Sequence, residues 1–115
     1  MNYKIKSRIW IEGDNGTFLA EGRISLLKQI VKLGSISAAA KSMKMSYKKA
    51  WEIIDGMNKE AKKPLVERVA GGKGGGGTVV TDEGIKAIKL FETLNNNCKK
   101  YLDNEMLKMK LKESI

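Results

Sequence analysis

A chain of 115 residues with no His, a single Cys and a formal charge of +9 is long enough for one domain with one modest core, and too short for a barrel or a two-domain enzyme. Without His there is no Ser-His-Asp triad and no Cys-His pair, and Cys98 alone makes no disulfide framework. No enzyme, metal site or cofactor is therefore expected, and a reducing cytoplasm is the default. The charge is uneven: residues 1–81 hold 15 basic and 7 acidic side chains, against 7 and 6 in residues 82–115.

The first residues carry Lys4 and Lys6 where a signal peptide needs an apolar run, and no stretch approaches the ~20 apolar residues of a membrane span, so no membrane partner is expected. From Lys4 to Glu12 the residues alternate, with Ile5, Ser7, Ile9 and Ile11 on one side, which predicts a strand. Gly13-Asp14-Asn15-Gly16 punctuates it as a turn, and Thr17-Phe18-Leu19 returns as a short second strand. From Arg23 the period becomes helical: Ile24, Leu27, Ile30 and Val31 recur, and Gly34 stops the helix.

Ser37 is the expected cap of a short helix from Ala38 to Met43, and Lys44-Met45 breaks it. Ser46 then caps a longer helix, Tyr47 to about Ala61, in which Ala50, Ile54 and Met57 form the buried stripe and Trp51 lies on the flank. Lys41, Lys44, Lys48 and Lys49 crowd the turn and the start of the second helix, with no acid between Lys41 and Trp51. A short helix, a tight turn and a basic, serine-capped second helix predict a helix-turn-helix, whose second helix enters the major groove by its N-terminal end. A plain helical hairpin is the simpler alternative, and it has no need of those lysines.

After Pro64, Leu65 to Val69 reads as a strand, Gly71 to Gly77 as a glycine loop bearing Lys73, and Thr78-Val79-Val80 as the returning strand: a wing whose tip brings backbone amides and Lys73 to phosphate. Gly72 to Gly77 formally fits G-x-G-x-x-G, but a dinucleotide site needs a helix directly after it, and here a strand follows. Thr81 caps a last helix from Asp82 to about Leu111. Its apolar residues, Ile85, Ile88, Phe91, Leu94, Cys98, Tyr101, Leu102, Met106 and Met109, outrun what so small a body covers, and so predict a two-fold helix contact.

Gly34-Ser35-Ile36-Ser37-Ala38-Ala39-Ala40-Lys41, Ser46-Tyr47-Lys48-Lys49-Ala50-Trp51, Leu65-Val66-Glu67-Arg68, the Gly71–Gly77 run and Val80-Thr81-Asp82-Glu83-Gly84 together resemble the N-terminal domain of the ModE family, molybdate-responsive transcription regulators of the LysR-like winged-helix group. The resemblance implies that Ser46, Tyr47, Lys48, Lys49 and Trp51 face DNA, that the wing touches its backbone, and that the first strand and last helix form a dimer. Full-length members carry oxyanion-binding domains after this one. With the chain stopping at Ile115, their sensing residues have nothing to map onto. Molybdate binding is not carried over, and a separate oxyanion-sensing protein is the expected partner.

The expected fold is α+β, mostly helical: a winged helix-turn-helix over residues 1–81, with an N-terminal strand, and a long C-terminal dimerisation helix over residues 82–115. The expected function is a sequence-specific, dimeric, DNA-binding transcriptional regulator. Ser37, Ser46, Tyr47, Lys48, Lys49, Trp51 and Lys73 are assigned to double-stranded DNA; Ile5, Ile9, Ile11, Ile88, Phe91, Leu94, Cys98 and Leu102 are assigned to the homodimer. The alternative is a winged-helix module whose basic face binds an acidic protein.

Overall fold

The computed structural model describes residues 2–69 and 77–115. Lys73 and residues 70–76, the tip expected of the wing, lie outside the described residues. In chain order come β1 (Trp10–Gly13), β2 (Gly16–Ala20), α1 (Glu21–Leu33), α2 (Ile36–Ser42), α3 (Tyr47–Glu60), β3 (Val66–Val69), β4 (Gly77–Val80), α4 (Asp82–Met109) and a last turn, α5 (Leu111–Ser114). β1 pairs with β2 and β3 with β4, each antiparallel. This is a winged helix-turn-helix with a long C-terminal helix.

The first strand is shorter than the alternation predicts, because among the described residues no strand lies beside those before Trp10 to complete a ladder. The β1–β2 register slips between Ile11 and Glu12, which face Leu19 and Thr17. Phe18 is the extra residue. A bulge lets neighbouring side chains share a face, and both Leu19 and the half-buried Phe18 pack on the core.

α1 ends as expected: Gly34 adopts φ 71° and its N–H donates to Ile30 O at 2.8 Å. Its apolar face differs from the simple spacing, with Leu26 fully buried and Val31 exposed. The cap of α2 is Ser35, not Ser37. The Ser35 Oγ accepts from Ala38 N at 3.0 Å, and a helix beginning at Ile36 sets Ile36, Ala39 and Ala40 on one buried face. Ser37 is left exposed in the first turn.

Leu19, Ile24, Leu27, Ile30, Ile36, Ile54, Met57, Leu65, Ile88 and Phe91 form the centre of one core, with Ile9 and Ile11 packed at its edge. Four residues assigned to the dimer thus belong wholly or partly to the protomer: Ile88 and Phe91 are buried in its own core, and Ile9 and Ile11 are half-buried against it. The first three turns of α4 cover α1 and the wing. The helix of ~42 Å (28 residues at 1.5 Å each) then runs on past the core, where residues 3–7 lie beside Lys99, Asp103 and Met106 and where Leu94, Tyr101, Leu107 and Met109 are exposed. The molecule measures 63 × 28 × 21 Å accordingly.

The wing is docked at the start of α4. Thr81 Oγ1 donates to Pro64 O at 2.7 Å and accepts from Gly84 N at 3.1 Å, while Thr81 N donates to Leu65 O at 2.9 Å. A Cβ on Gly84 would stand 2.4 Å from both Leu65 O and Val80 Cγ1. Gly84→Ala is therefore expected to destabilise the protein by about 1–3 kcal/mol. Gly22→Ala in α1, where nothing lies within 4 Å, should stabilise it by up to ~1 kcal/mol; urea denaturation of both variants checks the pair.

Candidate nucleic-acid interface

α2 and α3 are joined by Met43–Ser46. The corner is closed by Met43 N donating to Ala39 O and Met45 N to Ala40 O, at 3.1 and 3.0 Å. Between them Lys44 takes the left-handed conformation, φ 56°, a shape that favours glycine. The Ser46 side chain then caps α3, accepting from Lys49 N at 3.0 Å. Ala50, Ile54 and Met57 are fully buried, so they fix which way α3 faces. With that stripe inward, Lys48, Glu52, Asp55 and Lys59 line the outward face, and all are exposed.

Four of the predicted site residues, Ser46, Tyr47, Lys48 and Lys49, are therefore brought together at one end of one helix. Tyr47, Lys48 and Lys49 are exposed in its first turn, with exposed Lys41, Lys44 and Ser46 immediately before. Positive charge and unsatisfied amides of the helix start coincide there, which suits an anionic ligand. Glu52 and Asp55 make the same face acidic further along. Ser37 stands apart on α2. Trp51 is half-buried on the flank, and the structure gives it a neighbour that the sequence pattern does not reveal: the Arg68 guanidinium of β3 lies 4.0 Å from its ring centroid. Alternation along Val66-Glu67-Arg68 does place Arg68 on the same strand face as buried Val66, a signal that points it toward α3.

Two side chains near the C-terminal end of α3 set the helix against its neighbours. Asn58 Oδ1 accepts from Leu65 N at 2.8 Å and from Val66 N at 3.4 Å, and its Nδ2 donates to Val66 O at 3.1 Å. On the other flank, Glu60 accepts from Asp14 N at 3.0 Å and Asn15 N at 2.6 Å, the turn of the β1–β2 hairpin. Gly13 makes room for it, since a Cβ there would meet Glu60 Oε2 at 2.0 Å. The wing and the hairpin are thus both referred to α3. Among the described residues no three His, Cys, Asp or Glu side chains gather to hold a metal ion, and no helix is long and apolar enough to cross a membrane.

Residues 22–85, more than half of the chain, match the pattern of the bacterial regulatory helix-turn-helix proteins of the lysR family. The molybdenum transport protein ModE of Azotobacter vinelandii is 45% identical over 97 residues, covering 84% of this chain and 36% of that protein. The DNA-binding transcriptional dual regulator ModE of Escherichia coli K12 is 53% identical over 72 residues, 63% of this chain and 28% of its own. The molybdenum-pterin-binding protein MopB of Rhodobacter capsulatus is 38% identical over 89 residues, 77% and 33% of the two chains. The chain spans about a third of the length of the curated relatives it matches.

Asn58→Ala leaves two wing amides and a carbonyl without their partner and is expected to cost about 1–3 kcal/mol. It should also raise amide exchange in β3 ahead of α1, which hydrogen-exchange measurements resolve residue by residue.

Proposed function

Because the chain belongs to the bacterial regulatory helix-turn-helix proteins of the lysR family, we propose that it is a transcriptional regulator that binds double-stranded DNA with the N-terminal end of α3 in the major groove. The observation that carries this reading is the exposed Tyr47-Lys48-Lys49 turn, held outward by the buried Ala50–Ile54–Met57 stripe. Lys48 and Lys49 are suited to guanine O6 and N7 or to phosphate. Tyr47, the hydroxyls of Ser37 and Ser46 and the ammonium of Lys73 are suited to phosphate. Trp51 borders the same groove.

The working unit is a two-fold dimer. The part of α4 beyond Phe91, with Leu94, Cys98 and Leu102 on it, supports this, together with exposed Ile5 of the N-terminal segment. Residues 1–81 form the DNA-binding part, and the distal half of α4 forms the contact between copies. Two recognition helices related by a two-fold axis read half-sites about one helical turn apart, or a multiple of it. The relatives' names attach molybdenum to those proteins; for this chain the corresponding proposal is an oxyanion signal delivered through a separate sensing protein. Cytoplasmic placement follows from the same function.

Selection of bound duplexes from a random pool is expected to return a pseudo-palindrome. Lys48→Ala and Lys49→Ala should each weaken binding to it by about 1–3 kcal/mol and relax discrimination at particular positions. With ~6–10 phosphate contacts per dimer, affinity should fall by about 10³–10⁵ between 50 and 200 mM salt in anisotropy titrations. A flat salt response would favour an acidic protein partner instead. Removing residues from Asn95 onward should leave a folded monomer that binds one half-site weakly. Sedimentation showing that the intact chain is a monomer would overturn the dimer.

A further inference from the structure

Tyr47, Trp51 and Arg68 form a ladder from the start of α3 to the wing. Tyr47 meets Trp51 edge-on, with ring centroids 6.3 Å apart and planes at 83°, and the Arg68 guanidinium lies over the indole at 4.0 Å. The indole itself is half-buried against the core. Its Nε1 is enclosed, without a hydrogen-bond partner among the described residues, so the one donor with which a tryptophan could read a base edge is turned into the protein. Arg68 is the opposite case. It is exposed, and among the described residues no carboxylate lies within ion-pair distance of it. Lying against a ring leaves the guanidinium's in-plane N–H groups free, and holds a long side chain that would otherwise lose rotamer entropy on binding. The planar fork of donors matches two oxygens of a phosphate.

We infer that Arg68 is itself a DNA contact, taking a backbone phosphate beside the groove that receives α3, and that Trp51 is the platform that positions it rather than a reader of bases. This rests on the DNA-binding reading above. The test is a salt titration of binding to a mixed-sequence duplex about three helical turns long. R68A should bind about tenfold more weakly and lose about 0.9 from the slope of log K against log salt per protomer. R68K should keep the slope and recover only part of the affinity, since an ammonium does not lie flat on the ring. W51F should weaken binding less than W51L, since it keeps a ring face for the guanidinium. W51L should weaken binding when Arg68 is present and cost nothing further in R68A.

R68A with wild-type slope and affinity overturns the inference, as does an equal loss from W51L in both backgrounds. Should W51L melt below the assay temperature, the R68A slope decides alone. If the unaltered chain shows no salt-dependent binding, the DNA reading falls and takes this inference with it; if it binds and R68A is silent, only this inference falls.

Discussion

The Asn58 carboxamide satisfies three backbone groups where the chain has left α3 and begins β3, and much of the molecule's geometry follows from that one side chain. A two-stranded wing has too little core of its own to hold an angle. Tied at its first residues to α3, and at its last to the Thr81 cap of α4, it becomes part of the same rigid frame as the recognition helix. Thr78 adds a third tie, its Oγ1 accepting from Ile36 N at 3.2 Å at the start of α2. The surface offered to a partner is therefore one body, in which the helix-turn-helix and the wing strands keep a fixed spacing.

The charge distribution follows the same frame. The core seals off one side of α3, the hairpin turn is gripped by Glu60, and the lysines fall where the helix begins. Acidic Glu52 and Asp55 lie further along the exposed face of α3 and end its run of positive charge. Lys28 on α1 pairs with Glu92 on α4, away from this face; both are substantially exposed, so the pair contributes little to stability and leaves the basic surface at α3 unneutralised.

Much of this was legible in the residues because local chemistry dictated it. Gly34, Ser46 and Thr81 mark helix ends by mechanisms that need no partner, and the Ala50–Ile54–Met57 spacing orients α3 unaided. Where two local answers were equivalent, packing chose between them: Ser35 and Ser37 are both capable caps, and burial of Ile36 selected the first. The apolar rhythm of α4 runs without a break from Ile85 to Met109, so nothing in its period marks Phe91 as the point where the protomer's own core ends. The strand pattern of residues 4–9 was equally silent on whether a partner strand would lie beside it, and among the described residues none does. Arg68 and Trp51 meet through a fold-level contact that no short spacing encodes.

The left-handed Lys44 has an evolutionary consequence. A non-glycine residue in that conformation carries roughly 1–2 kcal/mol of strain, and glycine would relieve it. Selection for thermal stability alone would therefore drift toward glycine at this corner, removing a positive charge from the approach to the recognition helix. Position 44 therefore joins a backbone preference for glycine to a lysine charge just before α3, and a glycine there would relieve the first only by giving up the second.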